Sequence, residues 1–356
     1  MNIVFSAFRG HFSDSPRAIY EALLEQGLDA EYTWLSAPHT QATFPDGVVT
    51  AEFGSPASIA ALEAADLVVS NDHIPLDWEK RPGTTYLQTW HGTPLKRVHR
   101  DVLWAPEGRL DDLDVDIAKW DLLLSPNPFS TPIMRRAFRY EGEIGEYGYP
   151  RNDLLCRGTA EMAARVRARL GLPAGKRVVL YAPTWRDNQV YANGRRYRFD
   201  MRLDLERAWR ELGEDHVFLI RGHHHNADDV PAGMRDGFAL NVTAYPDITE
   251  LYLASDVLVT DYSSAMFDYA VTGRPILFFV YDLAEYRDSL RGFYFDFEAE
   301  APGPLLPDSA GVIEAIRDVD AVAAEHRDAY QRFTARFCSL DDGKAGARVC
   351  DRVFAP

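Results

Sequence analysis

Residues 255–281, SDVLVTDYSSAMFDYAVTGRPILFFVY, leave this chain few folds to choose from. An apolar run at 257–259 passes into Thr260-Asp261-Tyr262-Ser263-Ser264, then a helical segment over 265–271. Gly273 stops the helix, and a second apolar run follows over 275–281. Strand, polar turn, helix and strand in that order make a parallel β-α-β crossover, with hydroxyls where the first strand hands over to the helix. The unpaired N–H groups and positive dipole end of a helix start suit an anion, most simply a phosphate. Ser263 and Ser264 therefore read either as helix caps, a role serine fills well, or as a phosphate site, and the two roles are compatible.

The rest of the chain has room for more than this one unit. Its 356 residues fit two domains of ordinary size. Of these residues 46% are hydrophobic, yet no apolar run is as long as a membrane span. The opening MNIVFSAFRGH has no basic flank and no signal-like apolar region, so it reads as a first strand, and a cytoplasmic protein is expected. Cys156, Cys338 and Cys350 are odd in number and widely spaced, which fits a reducing compartment better than a disulfide framework or zinc ribbon. A net charge of -16 disfavours nucleic acid and anionic lipid as partners. Any phosphate must be held by a local pocket.

Strands are expected at 2–8, 30–35, 65–70, 84–89 and 121–125, the last closing the first half, with helices from Pro16 and over 129–138 between them. A Gly/Pro-marked turn, residues 147–153, suits a hinge. The alternation resumes with a helix at 159–170 and strands at 177–182, 216–221, 238–242, 256–260 and 275–281. The tail over 309–354 reads as helical, amphipathic and able to pack back across the hinge. The expectation is an α/β protein of two Rossmann-like domains, 1–150 and 151–356, with no G-x-G-x-x-G. Open parallel sheets bind ligands outside the carboxyl ends of their strands. His91, Thr184 to Asp187, Arg221 with His223, and Ser263 with Ser264 all follow such ends, so two sheets facing one cleft would gather them.

QTWHGTPLK (88–96), GYPRND (148–153), YAPTWRD (181–187), FSDSPRAIYEAL (12–23) and the block over 247–279 resemble the CDP-glycerol glycerophosphotransferase family of teichoic-acid polymerases and primases. The resemblance runs over nearly the whole chain with the motifs in order. It implies a GT-B-like architecture of two Rossmann-like domains facing a central cleft, with the acceptor on the 1–150 side and the CDP donor on the 151–356 side. The implied reaction moves a polyol phosphate, most simply glycerol 3-phosphate, from CDP-glycerol or CDP-ribitol to a hydroxyl of a glycan or lipid-linked polymer acceptor, releasing CMP. Teichoic-acid-like or capsular polymers are the implied products. Membrane contact would be peripheral and weak, at the inner face. Two other readings stand beside it: a nucleotide-sugar glycosyltransferase of the same fold, and a non-catalytic nucleotide- or polymer-binding homologue.

Phosphoryl transfer needs a base at the attacking hydroxyl, donors or positive charge on the pyrophosphate, and alignment of the reactants. By resemblance His91 is the candidate general base, and Gly92 lets backbone approach the ligand. Arg221 and His223 match an R-x-H at a strand end. Arg221 is assigned to the pyrophosphate, and His223 to the same group, to the acid assisting CMP departure, or to a share of the base role. RGHHHN departs from the family pattern, so His224 and His225 compete with His223. Consecutive histidines cannot all turn to one ion, so no metal site is expected; a metal requirement stays open, and no cofactor is implied. Ser263, Ser264 and Arg186 are candidates for the phosphates, and Trp185 for core or ligand platform. Asp247 and Glu250 are candidates for ribose hydroxyls, or simply acids at a helix start. Arg151 reads as a ligand contact or a hinge clamp. Asp261 and Asp268 flank the serines and are not read as bases.

Overall fold

In the computed structural model the described residues are 1–103, 110–184, 201–222 and 237–354. They form two wholly parallel sheets. The first has seven strands: β1 (Asn2–Ser6), β2 (Glu31–Ser36), β3 (Thr50–Glu52), β4 (Leu67–Ser70), β5 (Thr85–Gln88), β6 (Leu122–Ser125) and β7 (Glu143–Glu146), in the order β3-β2-β1-β4-β5-β6-β7. The second has six: β8 (Arg177–Tyr181), β9 (His216–Ile220), β10 (Ala239–Asn241), β11 (Val257–Thr260), β12 (Ile276–Phe279) and β13 (Leu305–Leu306), in the order β10-β9-β8-β11-β12-β13. Each sheet winds outward in both directions from a switch point, β1/β4 in the first and β8/β11 in the second. Such a point opens a crevice at the carboxyl ends of its strands.

Strands such as LVVS, LLLS, HVFLI and VLVT are buried along their whole length because helices cover both faces. Three strands differ from the sequence reading. β7, EIGE, extends a sheet whose last strand is expected at 121–125, and β3 and β13 add three- and two-residue edges. Edge strands are short and half-exposed, so they carry no apolar run to announce them. The first helix, Asp14–Glu25, starts two residues before Pro16, turns Ile19 and Leu23 onto the sheet, and gives way at Gly27, whose φ is +68°. Burying each of those two side chains stabilises the fold by roughly 1.5–3 kcal/mol.

The helices of the tail divide between the halves. Ser309–Arg317 packs Val312, Ile313 and Ile316 into a core of the second sheet, and Arg327–Phe337 packs Phe333 and Phe337 into the other. Ala345–Phe354 returns to the first sheet, where Val349 and Cys350 join Phe5, Ile19, Trp34 and Leu87. Its start is held by Asp153, whose carboxylate accepts from the N–H groups of Ala345 (2.9 Å) and Gly346 (2.8 Å). No helix among the described residues is long and apolar enough to cross a membrane.

Candidate active site

The halves meet along two seams with a cavity of about 480 Å³ beside them. In the first seam, residues 95–98 lie antiparallel to 292–294. Lys96 bridges Phe293, Arg97 N–H donates to the Gly292 carbonyl (3.1 Å), and Tyr294 N–H to that of Leu95 (2.9 Å).

The second seam is a buried ion cluster. The Arg151 guanidinium lies over the Tyr149 ring (4.1 Å to its centroid) and donates to Asp14 (3.0 Å) on one side and Asp268 (3.0 Å) on the other. Burial opposes its charge, but the two carboxylates outweigh that and hold it ionised. Beside it Arg17 donates to Glu250 (2.9 Å) and Asp247 (3.4 Å), and Glu250 also accepts from Arg169 (2.8 Å).

His91 sits at the end of β5 with its ring stacked on Trp90 (centroids 4.4 Å apart). Its Nδ1 lies 2.6 Å from the Asn71 carbonyl oxygen. A carbonyl only accepts, so Nδ1 carries the proton and Nε2 keeps a lone pair, the tautomer a base requires. Asn71 itself follows β4, and Asp72 beside it forms an ion pair with Arg9 (3.1 Å). Burial works against ionisation of Asp72, but the His73 hydrogen bond and the nearby His91 and Arg9 overcome it and lower the carboxyl to about 2.

Across the cavity Ser263 and Ser264 follow β11. The Ser263 hydroxyl accepts from Ala265 N–H (3.2 Å), whereas Ser264 makes no capping bond for the helix Ala265–Ala270. Ser264 instead faces Gly92, where a Cβ would stand 2.7 Å from its Oγ. The N–H of Gly92 donates to the Tyr149 hydroxyl (3.1 Å). Arg221, at the end of β9, donates to the carbonyls of Tyr245 (2.7 Å) and Val242 (3.3 Å), and burial lowers its pKa. Among the described residues no carboxylate lies within ion-pair distance of it, though Asp247 acts on its charge from further off, and its guanidinium stands at the cavity wall.

The cavity thus gathers His91, Gly92, Arg221, Ser263 and Ser264. Asp247, Glu250, Asp261 and Arg151 lie outside its lining. Asp247 and Glu250 are taken by Arg17, and Asp261 accepts from the Thr184 N–H (2.9 Å), fixing the loop after β8. The oxygens of Asp247 and Glu250 answer the half-buried Arg17, and those of Glu250 also the exposed Arg169. Arg186, Trp185 and His223 to His225 lie outside the described residues. Among the described residues no three His, Cys, Asp or Glu side chains gather as a metal site.

Thr184, expected at the cleft, lines the cavity as well, and so do Lys96, His99 and Arg291, to which the sequence alone gives no role. Lys96 and Thr184 stand inside the quoted motifs; Arg291 and His99 carry no local signal.

Residues 1–355 match the family described as CDP-Glycerol:Poly(glycerophosphate) glycerophosphotransferase. The chain belongs to that family. It is 42% identical over 99% of its length to a teichoic acid poly(glycerol phosphate) polymerase of Bacillus subtilis (strain 168), covering 48% of that protein. It is 40% identical over 99% of its length to a teichoic acid glycerol-phosphate transferase of Staphylococcus aureus (strain NCTC 8325 / PS 47), covering 92% of it. The chain therefore spans about half the length of the first of these relatives and most of the second. The wall teichoic acid polymerase TagF, in a structure soaked with CDPG, superposes with a TM-score of 0.90 at 36% identity, over 99% of this chain and 88% of that one. The fold is that GT-B-like pair of parallel-sheet halves.

Proposed function

We propose that this glycerophosphotransferase-family chain transfers glycerol phosphate from CDP-glycerol to a hydroxyl of a teichoic-acid-like acceptor and releases CMP. The observation that carries the reading is one cavity lined by a histidine whose Nδ1 carries the proton, an arginine with no carboxylate in ion-pair distance among the described residues, and a serine hydroxyl that caps no helix. The acceptor oxygen attacks the phosphorus that bears glycerol as its proton passes to His91 Nε2. The bond from that phosphorus to the CMP oxygen breaks, and CMP leaves with the electron pair. Arg221 and the Ser264 hydroxyl meet the charge on the pyrophosphate oxygens. In the sequence His223 follows Gly222 and Arg186 stands two residues after Thr184, both of which line the cavity, and both belong in the donor site on this reading.

The polymerases of glycerol phosphate among the relatives favour glycerol over ribitol as the polyol. The residues 1–150 present the acceptor and 151–356 the donor. Nucleotide-activated donors are made in the cytoplasm, and the protein works there, with any membrane contact peripheral.

The test is CMP release from CDP-glycerol with a glycerol phosphate acceptor, measured against CDP-ribitol and a UDP-sugar. CDP-glycerol should be the preferred donor, and His91→Ala should lower turnover about 10²–10⁴-fold while donor affinity holds. Preference for the UDP-sugar, or a variant that turns over normally, would overturn the reading.

A further inference from the structure

Phe8 is the one phenylalanine, tyrosine or tryptophan among the described residues that stands exposed, at 42%. It follows β1 at the switch point of the first sheet, and its ring centroid lies 5.6 Å from that of His91. Trp90 stacks on the same imidazole but is itself half-buried, so of these two neighbours Phe8 is the one open to an incoming molecule. The backbone holds the ring outward. Phe8 and Arg9 have φ of +45° and +61°, consecutive left-handed residues that few non-glycine side chains adopt. The conformation is tied down at both residues: Phe8 N–H donates to Asn71 Oδ1 (2.9 Å), and Arg9 is paired with Asp72. Asn71 is also the residue whose carbonyl orients His91, so one side chain and one backbone oxygen fix the phenyl ring and the base relative to each other.

We propose that Phe8 is the platform of an acceptor subsite, on which the terminal polyol or sugar unit of the acceptor rests its C–H face while its hydroxyl reaches His91 Nε2. This rests on the transfer reaction proposed above and adds where the acceptor sits. An exposed aromatic ring next to a base serves a molecule with an apolar face and a polar edge, which a polyol or sugar has and a phosphate lacks. On the proposed reaction the donor phosphates meet Arg221 and Ser264, which the second half supplies, whereas Phe8 and His91 belong to the first.

The experiment uses the full chain with CDP-glycerol and a lipid-free oligo(glycerol phosphate). Initial rates against acceptor concentration would be compared for the unaltered protein, Phe8→Ala and Phe8→Tyr, alongside calorimetric donor affinity and acceptor-free hydrolysis of CDP-glycerol. Phe8→Ala should raise the acceptor KM about tenfold and leave donor affinity and hydrolysis within twofold, with Phe8→Tyr close to the unaltered protein. An acceptor KM unchanged in Phe8→Ala would overturn the subsite. So would a parallel fall in hydrolysis, since the ring would then only prop His91. Absence of CMP release by the unaltered protein overturns the reaction itself and is seen before any variant is made.

Discussion

Gly92 shows how little room the residue scale leaves between the halves. A Cβ there would meet Ser264 Oγ at 2.7 Å and Ser264 Cβ at 3.0 Å, so the loop of His91 and the turn of the serines approach only because the position has no side chain. Rotating the hydroxyl relieves the first contact but not the second. Gly92→Ala is expected to weaken donor affinity several-fold and lower turnover while the thermal midpoint moves by no more than a few degrees. Calorimetric titration with CDP-glycerol and a melting curve check it; unchanged affinity would separate this contact from the donor site. From the sequence the glycine of WHG reads as a place where backbone approaches a ligand. That a serine from the other half comes to it is not legible there, since the two lie far apart in the chain.

Among the elements, the helix Asp14–Glu25, the turn at 149–152 and the helix Ala265–Ala270 are joined by a single guanidinium. Three quoted motifs, FSDSPR, GYPRND and DYSSAMFDY, contribute Asp14, Arg151 and Asp268 to this clamp. Removing the cation would leave two carboxylates buried with no counter-charge, which costs about 3–5 kcal/mol. Arg151→Met is expected to destabilise by that order in urea, with Asp268→Asn in the same protein recovering part of it because one uncompensated charge is gone. If Arg151→Met melts normally and loses only donor or acceptor binding, the arginine is a ligand contact after all. Sequence reading left both roles open, because a lone arginine at a Gly/Pro turn carries no sign of what it will face.

Across the whole molecule, the terminal helix Ala345–Phe354 ties the far end of the chain to its beginning. Val349 is fully buried against the core of the first sheet, while the helices just before it belong to the second. Asn127 Nδ2 adds a bond to the Phe337 carbonyl (2.7 Å) between the halves. The halves are therefore expected to unfold in one cooperative transition. Val349→Asp, which buries a charge without a partner, should lower that single transition as a unit. Calorimetry showing two transitions, with only one displaced, would mean that the clasp does not couple them.

Local pattern in the chain was enough for the parallel β-α-β units, the strand ends that carry His91, Arg221, Ser263 and Ser264, and the family, because apolar runs and glycine stops act over a few residues and the motifs are contiguous. It also sufficed to exclude a long apolar span. The tertiary structure alone decided which of those ends share a cavity, and that Asp247 and Glu250 serve Arg17. It alone turned Phe8 outward beside the base and set the tautomer of His91 through a carbonyl 20 residues away. Burial and ion pairing depend on what the other half of the molecule brings, and no window of sequence contains both sides of the cleft.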